Sequence, residues 1–241
     1  MKHLKFFAAL CCVAAAFAAC EPQNGPDNGQ TGNNDQNQTG DNGTANGHEY
    51  VDLGLPSGTK WATCNVGATK PEEYGNYYAW GETTTKSTYH WSTYKYGSDY
   101  DELTKYCTSS SKGTVDNKTV LDPEDDAARA NWGGSWRMPT DGEWAELLDE
   151  CTWEWKNAYK GTTAGYLVTS KINGNSIFLP AAGYRYSGGL YNAGSYGDYW
   201  SGSLCTGIPD DAWDVYFDSD RVYRGYDGGR YYGHSVRPVF K

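Results

Sequence analysis

Few residues of this chain are spaced for catalysis. Its histidines are His3, His48, His90 and His234, and no two stand at the separation that a metal-binding helix or loop would need. Neither a Gly-x-Ser-x-Gly elbow nor a Gly-x-Gly-x-x-Gly or other phosphate loop occurs. Asp122-Pro123-Glu124-Asp125-Asp126 gathers acids as a hard cation would want them, but it lacks the alternating carboxylates and turn glycine of a calcium loop. Acids in a solvated first helical turn, stabilised by the helix dipole, explain the run better. No metal, cofactor or catalytic residue is therefore expected, and the chain reads as a non-enzyme. What the sequence does offer is recognition chemistry. From residue 172 to 240 there is no Lys, Glu, Gln or Met, whereas Tyr, Gly, Asp, Ser and Arg crowd together. Tyr184, Arg185, Tyr186, Tyr191, Asn192, Tyr196 and Asp198 form one dense group, and Tyr223, Arg224, Tyr226, Asp227, Arg230, Tyr231 and Tyr232 the other. Tyr supplies a large amphipathic surface at low entropic cost, small polar residues supply adaptable hydrogen bonds, and Arg anchors, which is the composition of a binding face. These side chains are expected to be exposed and close together, with Trp213, Val215 and Phe217 facing inward.

The first residues give the compartment. Basic Met1-Lys2-His3-Leu4-Lys5 precedes an uncharged stretch over residues 6–19, shorter than the roughly 20 apolar residues of a membrane span. Small residues then crowd Cys20 in Phe17-Ala18-Ala19-Cys20, a pattern similar to the bacterial lipobox, in which the cysteine is lipidated. Residues 1–19 are thus read as a signal peptide and Cys20 as a lipid anchor. Residues 20–47 consist largely of Asn, Gly, Gln, Asp, Thr and Pro, too polar to offset their ordering entropy, and are expected to form a disordered tether. Residues 48–241 are long enough for one domain with a sizeable core. The formal net charge is −10 and becomes more negative once Lys2 and Lys5 leave with the signal, so nucleic acid is a poor partner. Cys64, Cys107, Cys151 and Cys205 remain in the domain. Their even number permits disulfides in an exported protein, and buried thiols are equally compatible.

Positioning elements follow from periodicity. Thr140 with Glu143 makes a capping box after Pro139, and Trp144, Leu147, Leu148 and Cys151 fall on one helical face. A second, weaker helix is expected over 123–131. Short strands are expected at 51–53 and 60–62, around a turn at Leu55-Pro56-Ser57-Gly58. Residues 75–111 lack periodicity and read as irregular structure packed by aromatics. Asn173-Gly174 signals a two-residue hairpin turn between strands 165–171 and 175–179. Further strands are expected at 199–204, 212–217 and 235–239. The fold class is α+β, with one or two helices against short antiparallel strands and long loops.

Three motifs carry a resemblance. They are Tyr50-Val51-Asp52-Leu53-Gly54-Leu55-Pro56-Ser57-Gly58-Thr59-Lys60-Trp61-Ala62, then Asn131-Trp132-Gly133-Gly134-Ser135-Trp136-Arg137-Met138-Pro139-Thr140 with Glu143-Trp144, and Ser235-Val236-Arg237-Pro238-Val239. Over residues 50–240 the chain resembles the Fibrobacter succinogenes major paralogous domain, found in lipoproteins of gut Bacteroidota. That family is similar to the C-type lectin fold and to formylglycine-generating enzymes, so the resemblance implies a C-type lectin-like domain whose termini meet in a sheet. It does not carry over catalysis: residues 222–234, where those enzymes hold their cysteines, contain none. The Glu-Pro-Asn or Gln-Pro-Asp signature of sugar-binding C-type lectins is also missing from the domain. The residue bias of the C-terminal quarter is similar to that of variable proteins diversified by retroelements, whose randomised codons yield Tyr, Ser, Asp, Gly, His and Arg but not Lys, Glu, Gln or Met. The expectation is a cell-envelope lipoprotein of the outer membrane, displayed at the cell surface, with a binding or adhesion module for a glycan or protein ligand. A structural or envelope-assembly protein is the alternative, and an enzyme a more distant one.

Overall fold

The computed structural model describes residues 42–241. The proposed signal, Cys20 and most of the tether lie outside them. In chain order the elements are β1 (Gly43–Ala45), β2 (His48–Asp52), β3 (Lys60–Ala62), β4 (Tyr77–Tyr78), α1 (Ala127–Trp132), α2 (Asp141–Glu150), β5 (Cys151–Tyr159), β6 (Thr163–Ser170), β7 (Ser176–Pro180), β8 (Tyr184–Tyr186), β9 (Gly189–Tyr191), β10 (Gly197–Leu204), β11 (Asp211–Phe217), β12 (Val222–Gly229), β13 (His234–Ser235) and β14 (Val239–Phe240). Strand predominates and two α-helices accompany it, which is an α+β arrangement. The strands form sheets in the orders β1-β2-β3-β14, β12-β11-β10-β13-β4, β5-β6-β7 and β8-β9.

Folded structure begins before residue 48. β1 pairs antiparallel with β2, and the Trp136 indole donates to Ala45 O at 2.9 Å, so residues 43–45 belong to the sheet and not to the tether. The first and last strands of the domain share that sheet, Trp61 lying opposite both Val51 and Val239. Arg137 bridges to Val239, and its guanidinium grips the Glu143 carboxylate through two bonds of 2.6 Å. Glu143 closes the capping box with Thr140 and also accepts from Thr59 at 2.9 Å. Burial pushes the Glu143 carboxyl up, but Arg137, Thr140 and Thr59 outweigh it and bring its pKa down to about 2. Fully buried Arg237 donates to Asn65 Oδ1, Ala62 O and Phe178 O. The three motifs singled out in the sequence therefore meet in one structural node.

α2 buries Trp144 and Leu147 as its periodicity predicts, with Trp61 4.8 Å from Trp144 between ring centroids. The helix stops at Glu150, and Cys151 opens β5, a strand that the helical pattern through Cys151 obscures in the sequence. The 123–131 helix is interrupted: a 3-10 turn at Pro123–Asp125 ends at Asp126, whose carboxylate caps α1. Glu124 is exposed as expected, but Asp125 and Asp126 are not solvated. Asp125 is buried and accepts from Lys95, Lys105, Tyr96 and Tyr106, while Asp126 accepts from Met138 N at 2.8 Å. Asn173-Gly174 sits in a longer turn than expected, because Thr169 pairs with Ser176 and, of the two, only Gly174 has positive φ. Residues 75–111 do pack by their aromatics: Trp80 donates to Ser201 O and Trp200 to Tyr78 O, both at 2.8 Å. Cys64, Cys107, Cys151 and Cys205 are buried thiols, with no disulfide among the described residues.

Candidate functional site

The sheet β12-β11-β10-β13-β4 has two unlike faces because side chains alternate along each strand. Tyr199, Val215 and Phe217 point into the core, where Tyr199 lies 6.0 Å from Trp144 and 5.8 Å from Phe217 between ring centroids. The alternate residues Asp198 and Trp200 of β10, and Asp214 and Tyr216 of β11, occupy the other face. The register sets Asp198 opposite Tyr216, Trp200 opposite Asp214, and Tyr216 opposite Tyr223 of β12. This face opens into a cleft of about 670 Å³, lined by Tyr184, Asn192, Tyr196, Asp198, Asp214, Tyr216, Arg221, Tyr223, Gly228, Gly229, Tyr232 and His234.

The cleft has an aromatic wall and an ionisable floor. Along the wall, Tyr196 meets Tyr216 edge-on at 5.3 Å, and Tyr216 stacks toward Tyr223 at 6.4 Å. Arg221 lies over the Tyr223 ring and donates to Asp218 at 3.1 Å. On the opposite side the β8-β9 hairpin brings Tyr184 against Tyr191 and Tyr232, at 5.7 and 5.8 Å. Tyr186, Tyr232 and Tyr231 extend that rim.

On the floor, Asp198, Asp214 and His234 are buried, with ligand-capable atoms all within 4.8 Å of one another. His234 stacks on Trp200 at 4.0 Å, and its Nδ1 is 3.4 Å from Asp214 Oδ2. Neither that Nδ1 nor Asp198 Oδ2 makes a hydrogen bond among the described residues. Desolvation raises the Asp198 carboxyl to about 7 and lowers His234 to about 3. Gly228 closes the floor from β12, where a Cβ would fall 3.0 Å from both Asp214 Oδ2 and His234 Cε1. Any larger residue there would crowd the cluster.

Of the residues expected to bind, Tyr184, Asn192, Tyr196, Asp198, Tyr223 and Tyr232 line the cleft, while Tyr186, Tyr191 and Tyr231 border it. Asp198 is buried at the floor instead of standing in solvent. The expectation fails for the arginines. Arg230 is fully buried, donating to Tyr94 Oη, Tyr106 O, Pro209 O and Lys105 O, so it is a core cross-link. Arg224 pairs with Asp141 at 2.7 Å beside α2 and does not line the cleft. Arg185 lies over Tyr77, 5.3 Å from its ring, in a separate cavity of about 270 Å³. Tyr226 and Asp227 are on β12, paired with Asp214 and Trp213. Trp213 is only half-buried, unlike Val215 and Phe217.

Asp214, Tyr216, Arg221 and His234 are absent from the sequence-derived set. Alternation could have found the first two, since Asp214 and Tyr216 alternate with the inward-facing Val215 and Phe217 along β11. His234 carries no such signal, because its partners come from separate strands. Comparison of the chain with protein-family models, curated proteins and solved structures finds no match.

Proposed function

We propose that the chain is an exported, lipid-anchored binding module whose C-terminal cleft takes the end of a glycan chain. The observation that carries this reading is the convergence of Tyr184, Tyr196, Tyr216, Tyr223 and Tyr232 with Asn192 and Arg221 around one open concavity of about 670 Å³. Ring faces suit the apolar faces of sugars, and the hydroxyls, amide and guanidinium suit their polar edges. A concave site of this size fits a small ligand better than the broad patch, about 800 Å² per partner, of a stable protein interface. The terminal strands sharing the β1-β2-β3-β14 sheet favour a C-type lectin-like fold, and the three motifs, all spent on that node, account for a family likeness that says little about function. Arg230 constrains the diversification reading, since a randomised codon could not preserve a fully buried arginine with four acceptors.

The test uses the mature chain with its Cys20 anchor replaced by serine for solubility, on an array of bacterial and host polysaccharides. Tyr196→Ala and Tyr223→Ala should each lose retention on whatever glycan the parent captures, with the melting temperature unchanged within a few degrees. Retention that survives both substitutions, or a parent that captures no glycan, overturns the reading. The anchor has its own assay: a radioactive fatty acid should label the wild type and miss Cys20→Ala.

A further inference from the structure

We propose that Asp198, Asp214 and His234 form a binding site for one divalent transition-metal ion at the floor of the cleft. The site is independent of what the rest of the cleft holds.

The geometry comes first. Two ligand atoms about 2.0–2.1 Å from a tetrahedral zinc stand about 3.4 Å apart, and His234 Nδ1 lies 3.4 Å from Asp214 Oδ2. The third ligand atom, from Asp198, falls within the same 4.8 Å cluster. The donors come from three strands, β10, β11 and β13, fixed by ladder pairing, and the His234 ring is held flat against Trp200. Trp200 is itself tied by its indole N–H to Tyr78 O. The imidazole therefore has little freedom to turn away.

Polar satisfaction points the same way. His234 Nδ1 and Asp198 Oδ2 are buried with no hydrogen-bond partner among the described residues, and both side chains belong to the cluster whose ligand-capable atoms lie within 4.8 Å of one another. Buried polar atoms are nearly always paired, and two such atoms converging beside a second carboxylate fit a ligand that supplies positive charge. A divalent cation would supply the positive charge that the buried Asp198 carboxylate needs in so dry a site.

The donor set selects the metal class. One imidazole with two carboxylates favours Zn²⁺, Mn²⁺, Fe²⁺ or Co²⁺ over Ca²⁺ and Mg²⁺, which want oxygen throughout. All three residues line the cleft, so a metal with three protein ligands would keep a coordination position open toward it. Gly228 is the space-keeper, leaving no Cβ to crowd the cluster.

Untagged mature chain, anchor replaced and stripped with a chelator, should be titrated with Zn²⁺ by calorimetry and with Co²⁺ by visible absorption. One equivalent should bind, with d–d bands of a tetrahedral or five-coordinate site, and Zn²⁺ should raise the melting temperature. Asp198→Asn and His234→Gln should each weaken binding by about 100-fold or more. Asp198→Asn is isosteric and removes a carboxylate that burial disfavours, so its loss of metal could not be blamed on unfolding. The double variant His48→Gln/His90→Gln should bind as the parent does. Absence of stoichiometric binding, binding unaffected by Asp198→Asn and His234→Gln, or binding lost with His48 and His90 would each overturn the site. A chain that takes the metal but retains no glycan would sink the glycan reading and leave this one standing.

Discussion

Two arginines of one tyrosine-rich run have opposite fates, and the difference is burial. Arg230 places its guanidinium 5.0 Å from the Trp80 ring and 5.3 Å from the Tyr94 ring and donates to four oxygens. Arg230→Met should therefore destabilise the fold by about 3 to 5 kcal/mol, since it leaves carbonyls from three loop positions without a donor in a dry interior. Arg224 is partly exposed and, among the described residues, pairs with Asp141, so Arg224→Ala should change stability by about 0 to 1 kcal/mol. Chemical denaturation of the two variants separates them, and equal losses would mean that the buried network carries no special weight. In the sequence both residues sit in the same Tyr-Gly-Arg setting. Composition located the cleft because tyrosines, asparagine and glycine recur in the loops and strand ends that border it. It could not say which arginine turns inward, because that depends on acceptors at Lys105, Tyr106 and Pro209, far away in the chain. The floor cluster was illegible for the same reason: Asp198, Asp214 and His234 become neighbours only through strand register.

At the scale of elements, local signals were the readable ones. Thr140 and Glu143 are three residues apart, and a capping box needs nothing beyond that spacing, so α2 begins where the sequence says. Its end was hidden, because Cys151 continues the apolar stripe while Trp153 and Trp155 already alternate as a strand. Trp144→Ala should lower stability by about 3 to 5 kcal/mol, since the ring is fully buried between Trp61 and Tyr199. Thr140→Ala should lower it by only about 1 kcal/mol. A Trp144 variant as stable as the parent would displace the core from this face. Glu143 adds a pH signature. Its pKa falls from 4.5 when unfolded to about 2 when folded, so the unfolded chain binds the extra proton between those values. Its contribution, up to about 3 kcal/mol, is complete above pH 4.5 and is lost as pH falls through about 2. Glu143→Gln should be less stable than the parent at pH 7 and flatter across that window. A parallel pair of pH–stability curves would rule this out.

On the scale of the whole molecule, the three sequence motifs and the residues that line the cleft are separate sets. The Arg137–Glu143 fork, the buried Arg237 and the Trp61 pairings with β2 and β14 bind the two ends of the domain together. The cleft is built from the far face of another sheet and from the β8-β9 hairpin. The motifs are spent on joining the ends of the domain and none of their residues lines the cleft, so they carry no information about what the cleft could hold. It also makes the start of the folded unit a matter of energetics. Composition sets the tether's end at residue 47, because Gly43, Thr44 and Ala45 have no side chain large enough to announce a strand. Those residues nonetheless pair along β2, their Ala45 carbonyl accepts from buried Trp136, and Asn46 donates to Trp132 O. A chain beginning at residue 48 loses an edge strand and leaves the Trp136 indole without its acceptor, a loss of about 1 to 3 kcal/mol for that group alone. It should melt several degrees below a chain beginning at residue 42, with the difference reduced in Trp136→Phe, which has no indole N–H to strand. Equal melting temperatures for the two chains would return residues 43–47 to the tether.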